Sequence, residues 1–170
     1  MDRRSFLQAA MVSALPSAAF GQSAPAGMSP EQKHAAETLE ASAMSLEASR
    51  AAATKAVDAN VRRFAQFEAA EQEVVASVVK AATGMSETAP PPLSAEAKAM
   101  VEILKAMPSG PEFDKAYVKG QIEGHQRLLQ IQEVYLTNGK NPTHRSIAML
   151  IRGHIKEHLA QLELMHKLPA

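Results

Sequence analysis

The chain of 170 residues contains no cysteine and no tryptophan, and only 4% of its residues are aromatic. Without cysteine it has no disulfide bond, no thiolate zinc site and no covalent attachment site for a c-type haem. The shortage of aromatic residues, together with abundant alanine, argues against strands, which favour aromatic and β-branched side chains. We therefore predict an all-α fold whose stability comes from helix packing.

The chain also lacks an excess of charge of either sign, because 18 lysine and arginine residues balance 18 aspartate and glutamate residues. This balance gives no indication of nucleic acid or an anionic membrane surface as a partner. Glycine-rich phosphate loops are absent, so no nucleotide motif is present, and no serine stands in a recognisable catalytic motif. We do not expect hydrolysis or phosphoryl transfer.

The first residues resemble a bacterial twin-arginine export signal. Arg3 and Arg4 precede Phe6-Leu7, and a mildly apolar run follows from Ala9 to Phe20. The small residue Gly21 suits cleavage by a signal peptidase, and the run is shorter than the roughly twenty apolar residues of a membrane span. The general secretion route remains open as an alternative. We predict a periplasmic protein with a signal peptide at 1–21, a flexible linker at 22–28 and one helical domain at 29–170.

Cap and breaker residues divide that domain into four long helices and one short helix. The predicted starts are Ser29-Pro30, Asp58, Ser94, about Glu112 and Asn141-Pro142, and the predicted ends are near Thr54, Gly84, Met107, Asn138-Gly139 and Lys167. Three prolines at 90–92 predict an extended linker over 87–93. The result is two antiparallel hairpins, with tight turns near residues 57 and 140, and a long crossover that carries the short helix. This is the plan of a ferritin-like four-helix bundle with one long connection.

Short motifs in both hairpins resemble domain-of-unknown-function family 4142, a group of exported bacterial proteins with the ferritin-like fold. They are Phe113-Asp114-Lys115-Ala116-Tyr117, His125 and His158-Leu159 in the second hairpin, and Ser45-Leu46-Glu47, residues 52–56 and residues 61–66 in the first. The chain departs from the family at Glu71-Gln72, where an Asp-His pair is usual. The resemblance covers about residues 31–168. It implies the fold and export more than an activity, because the family has no settled biochemical role.

Helical periodicity places histidines on the inward faces of the second hairpin. His125 lies in an otherwise apolar and amide row, and His154 and His158 lie one turn apart in the inward row of the last helix, bordered by Glu157. Counting outward from the turn near 140 brings His125 level with about residue 155. We therefore predict that His125 meets His154, with His158 about one turn further on.

The first hairpin contributes carboxylates to the same level. Glu68 and Glu71 stand where aliphatic residues would be expected in the inward row of their helix. Counting from the turn near 57 brings them level with about residues 46 and 43, so Glu47 joins them. Mixed imidazole and carboxylate ligands on facing helices can bind Fe, Mn, Zn or Cu. The predicted metal ligands are Glu47, Glu68, Glu71, His125, His154, Glu157 and His158.

Other polar pairs have weaker claims to a site. Glu31-x-x-His34 and Glu163-x-x-His166 have the spacing of di-iron ligands but lie near helix ends, and we expect both to be solvated. Asp114 is expected to cap a helix and Tyr117 to pack in the core, rather than to act in catalysis.

Two alternatives to a metal site at these residues remain. The interior histidines and glutamates can hydrogen-bond one another as a structural polar layer that fixes helix register. The helical faces can also be rotated so that the glutamates are solvated, because unpaired buried carboxylates are very costly.

Two functional hypotheses follow. One is an exported metal-binding protein in metal handling, sensing or redox defence, and the other is a non-catalytic envelope stress or assembly protein that acts through its surface.

Overall fold

The computed structural model describes residues 27–86, 88 and 93–167. The predicted signal peptide and most of the two predicted linkers lie outside the described residues. The all-α prediction is confirmed, because the described residues form helices and no strand. The helices are α1 (Pro30–Lys55), α2 (Ala59–Thr83), α3 (Ala95–Ala106), α4 (Pro111–Asn138) and α5 (Pro142–Lys167). In the described part of the chain, no helix has the length and apolar character needed to cross a membrane.

Local capping groups set the bounds of these helices. Ser29 accepts a hydrogen bond from the backbone of Gln32, whose side chain accepts one from the backbone of Ser29, so α1 begins with a capping box. Asp58 accepts from two backbone N–H groups at the start of α2. Gly84 ends α2 at φ 68°, in the left-handed region that glycine adopts without strain. Asn141 accepts a hydrogen bond from the backbone N–H of His144 at the start of α5.

Tyr117 packs in the core as expected, whereas Asp114 binds the connection between two helices instead of capping one. The buried carboxylate of Asp114 accepts hydrogen bonds from the backbone N–H groups of Val57 and Asp58, at 3.2 and 2.7 Å. It therefore fixes the connection between α1 and α2 from the first turn of α4. The hydroxyl of Tyr117 lies 2.8 Å from Oγ of Ser49 inside the bundle.

The four long helices pack as two antiparallel pairs, α1 with α2 and α4 with α5, and α1 also packs against α4 and α2 against α5. The short helix α3 lies against α1 and α4. One apolar cluster, around Phe64, Phe113 and Leu162, fills the end near the α1–α2 connection. A second, around Leu39 and Val79, lies toward the other end. The level between these two clusters contains buried polar groups.

Candidate metal centre

One carboxylate and two imidazoles converge between the apolar clusters. Glu68 of α2, His125 of α4 and His158 of α5 offer ligand atoms that all lie within 4.8 Å of one another. Nε2 of His125 is 3.5 Å from Oε1 of Glu68, and Nδ1 of His158 is 2.9 Å from Oε2. The two ring nitrogens are 3.2 Å apart. Three different helices therefore present their ligand atoms to one point.

These separations are those of ligands on a single metal ion. Nitrogen and oxygen ligands lie about 2.0–2.2 Å from Zn²⁺, which puts neighbouring tetrahedral ligands about 3.4 Å apart. Two histidines and one carboxylate form the ligand set of some catalytic zinc sites and of non-haem iron sites, and both keep positions for water or substrate. The donor set of the cluster therefore fits a transition-metal ion.

Each histidine also has a partner for the ring nitrogen that faces away from the cluster. Nδ1 of His125 is 2.8 Å from the carbonyl oxygen of Gln121. A carbonyl only accepts, so Nδ1 carries the hydrogen, and in the neutral ring Nε2 presents its lone pair to the cluster. Nε2 of His158 is 3.4 Å from Oε2 of Glu71. Metal-binding histidines ordinarily donate their outer N–H to a carbonyl or carboxylate. Both rings are thus oriented as metal ligands are.

The carboxylate of Glu68 is fully buried and only partly satisfied. Its Oε1 accepts hydrogen bonds from Oγ of Ser45 at 2.6 Å and Nε2 of Gln72 at 2.9 Å. Its Oε2 forms an ion pair with Nδ1 of His158 at 2.9 Å, but it has no well-formed hydrogen bond. A buried carboxylate oxygen without a well-formed hydrogen bond is costly, and a metal ion bound to it would reduce that cost.

The charges of the cluster shift the pKa values of its members. Burial alone would raise the pKa of Glu68, but the contacts with His125 and His158 outweigh burial and hold that pKa well below its usual value. Burial lowers the pKa of His158, but the contacts with Glu68 and Glu71 outweigh it and raise the pKa to about 10. Burial would raise the pKa of Glu71, but its contacts with His158 and His154 outweigh burial and lower that pKa. Without a metal, His158 is therefore a cation between two carboxylates at neutral pH.

The structure changes the predicted pairing of the histidines. His125 meets His158, whereas His154 is exposed and contacts Glu71, with Nδ1 3.1 Å from Oε1. The levels counted along the backbone ignored the tilt of helical side chains toward the helix N-terminus. In an antiparallel pair this tilt carries His125 away from the turn and His158 toward it, so the two rings meet.

Two predicted ligands, Glu47 and Glu157, do not reach the cluster. Glu47 pairs with Arg50 at 3.0 Å and with Lys105 of α3 at 2.9 Å, because a row of small polar residues occupies the inward face of α1. Glu157 is exposed, since it is one residue, or about 100° of helical rotation, away from His158. Of the seven predicted ligands, Glu68, His125 and His158 converge, and Glu71 lies beside them and joins them to His154. Metal ligation itself stays a prediction.

The prediction that His34 is solvated is wrong. His34 is buried, its Nε2 lies 2.8 Å from Oε1 of Gln132, and its ring stacks on Tyr135 with 4.3 Å between the centroids. Glu163 and His166 are exposed, as expected.

Sequence reasoning also missed the polar residues that support the cluster, Ser45, Gln72 and Gln121. A signal for the first of them exists in α1, where small or polar residues recur at spacings of four and three without a charged residue among them. The row is His34, Thr38, Ser42, Ser45, Ser49 and Ala52, and all six are buried. This row marks the inward face of α1 better than its few aliphatic residues do.

Comparison with known proteins gives a family and a fold. The model of the family described as Domain of unknown function (DUF4142) matches residues 16–165. The crystal structure of a DUF305 fragment from Deinococcus radiodurans is similar with a TM-score of 0.70 and 18% identity, over 82% of this chain and 96% of that one. A DUF305 protein from Streptomyces coelicolor gives a TM-score of 0.66 and 14% identity, over 79% of this chain and 88% of that one. At these identities the likeness shows the fold alone. No curated protein matches the chain.

Proposed function

The chain belongs to the DUF4142 family, as its motifs predicted, and we propose that it is an exported protein that binds one divalent transition-metal ion. The proposed ligands are Glu68, His125 and His158. The observation that carries the proposal is the convergence of one carboxylate and two imidazole ligand atoms. The outer ring nitrogen of His125 is hydrogen-bonded to the carbonyl of Gln121, and that of His158 lies 3.4 Å from the carboxylate of Glu71.

The charges around the cluster favour a divalent ion. Without metal, Glu68 and Glu71 contribute two negative charges and protonated His158 contributes one positive charge. Exchange of the Nδ1 proton of His158 for a divalent cation brings the sum of these groups to zero, which is the least costly state for a buried site. Fe, Mn, Zn and Cu accept imidazole and carboxylate ligands, whereas Ca²⁺ and Mg²⁺ favour oxygen ligands alone.

Export to the periplasm is part of the proposal and is supported by residues 1–21, with Arg3-Arg4 followed by Phe6-Leu7 and the apolar run. Three protein ligands leave positions on the ion for water or another donor. Such a site suits exchange of the ion in metal handling or sensing, and it also suits redox defence.

The test is a calorimetric titration of the purified mature protein with Zn²⁺, which should show one ion per chain. His125→Ala, His158→Ala and Glu68→Gln should each weaken binding by more than the roughly 10–100-fold that loss of a supporting partner costs. His166→Ala is the matched control, because His166 is an exposed histidine on the same helix as His158. A wild-type protein that binds no ion, or a His125→Ala variant with wild-type affinity, would contradict the proposal.

A second candidate function is a non-catalytic envelope stress or assembly protein that acts through its surface. It is favoured by the contacts of His158 with Glu68 at 2.9 Å and with Glu71 at 3.4 Å, which need no metal ion. The polar layer would then only fix helix register. This function predicts a thermal unfolding temperature that responds neither to chelator nor to added Zn, Cu, Mn or Fe, and a metal-dependent temperature excludes it.

A further inference from the structure

Glu71 and His154 lie between the cluster and the solvent. The exposed fraction of the side chain is 57% for His154, 26% for Glu71, 12% for His158 and 0% for Glu68. Contacts follow the same order, from Nδ1 of His154 to Oε1 of Glu71 at 3.1 Å and from Oε2 of Glu71 to Nε2 of His158 at 3.4 Å. We propose that His154 and Glu71 form an outer metal site that captures an ion from solvent and passes it to the buried cluster. This inference rests on the proposed function.

The other sides of the cluster are covered by described residues. The ring of Phe64 packs against both imidazoles, 5.2 Å from the centroid of His158 and 6.4 Å from that of His125. Ser45 and the neighbouring Gln72 occupy the Oε1 side of the buried carboxylate. Among the neighbouring pairs of long helices, α2 and α5 make the sparsest contact. An ion therefore approaches the cluster most easily between α2 and α5, where His154 and Glu71 lie.

The chemistry of the two outer residues suits capture rather than storage. A hydrated divalent ion exchanges its water molecules stepwise, so an accessible first ligand lowers the barrier to losing the rest. His154 offers one imidazole and Glu71 one carboxylate, and both ligand types accept the metals that the buried cluster would take. With two protein ligands instead of three, the outer site holds the ion more weakly than the buried one. Glu71 links the two sites because its second oxygen already contacts His158.

Stopped-flow absorbance with Co²⁺ tests the outer site. His154→Ala should lower the association rate constant about tenfold, which corresponds to about 1.4 kcal/mol in the barrier. Because the ion leaves by the same path, its release into excess chelator should slow by the same factor, and the Kd should stay within about twofold of wild type. His154→Glu retains a metal ligand at this position and should restore most of the rate. His166→Ala should not differ from wild type.

The outcomes separate this inference from the function on which it rests. A His154→Ala variant that associates at the wild-type rate overturns the outer site and leaves the buried site intact. A variant with unchanged association and weaker equilibrium binding also overturns it, because His154 would then be a ligand of the final site. Failure of His154→Glu to restore the rate contradicts the ligand role as well. A wild-type protein that binds no Co²⁺ overturns both proposals together.

Discussion

Metal binding should release the Nδ1 proton of His158. In the metal-free protein, the contacts with Glu68 and Glu71 outweigh burial and raise the pKa of His158 to about 10. Its Nδ1 faces Glu68 and His125, so an ion bound by these three residues takes the place of the proton. At pH 8 we therefore expect His158 to release about one proton for each ion bound.

The same proton sets how steeply the apparent affinity depends on pH. A pH of 7 is about three units below the pKa of His158, so deprotonation of the ring costs on the order of 4 kcal/mol at 1.36 kcal/mol per pH unit. Each unit of increase in pH removes about 1.4 kcal/mol of this cost, and the apparent Kd should fall about tenfold. Between pH 6 and pH 8 the expected change is about 100-fold.

The assay is calorimetric titration with Zn²⁺ at pH 8 in two buffers that differ in ionisation enthalpy. The difference between the observed enthalpies gives the number of protons released. His166→Ala is the control, because His166 is an exposed histidine on the same helix as His158, and this variant should release the same number of protons. Release near zero, or a Kd that does not change between pH 6 and pH 8, would refute the reasoning.

Three further predictions concern the metal-free protein. Its thermal stability should be greatest near pH 6.5. The raised pKa of His158 gives stabilisation that is lost as the pH rises from 6.5 toward 10, whereas burial lowers the pKa of His34, so stability is lost as the pH falls below 6.5 and this buried ring must take up a proton. A Tm that changes in one direction only from pH 5 to pH 9 contradicts this. Ser45→Ala removes a donor to the buried carboxylate of the cluster and should lower the free energy of unfolding in urea by about 1–3 kcal/mol, while the exposed Ser146→Ala should change it little. Asp114→Ala removes the acceptor for the backbone N–H groups of Val57 and Asp58 and should cost about 1–3 kcal/mol in the same assay, so an unchanged urea midpoint would show that these hydrogen bonds are dispensable.

The helices could be predicted from the sequence because their bounds depend on local groups. Ser29, Asp58 and Asn141 each accept hydrogen bonds from backbone within three residues, and Gly84 supplies its own backbone conformation. Such signals involve no distant part of the chain. Periodicity likewise placed His125 on an inward face, because the neighbours that define its row are on the same helix.

The exact partners of the site could not be predicted, since they depend on how side chains tilt and on how separate helices pack. His125 meets His158 because both rings lean toward their helix N-termini, which a count of backbone levels omits. Glu47 forms an ion pair with Lys105 of α3. Because α3 belongs to the crossover, no periodic pattern in the sequence shows where it lies against the bundle. His34 was misplaced because the inward face of α1 is built from small polar residues, so an apolar period does not reveal it.

Anomalous diffraction from crystals grown with Zn²⁺, collected on both sides of the zinc absorption edge, tests the central claim most directly. The account predicts one peak within about 2.0–2.2 Å of Nε2 of His125, Nδ1 of His158 and a carboxylate oxygen of Glu68. A map without a peak at this position, in which His158 still contacts both Glu68 and Glu71, would contradict the metal site and leave a structural polar layer.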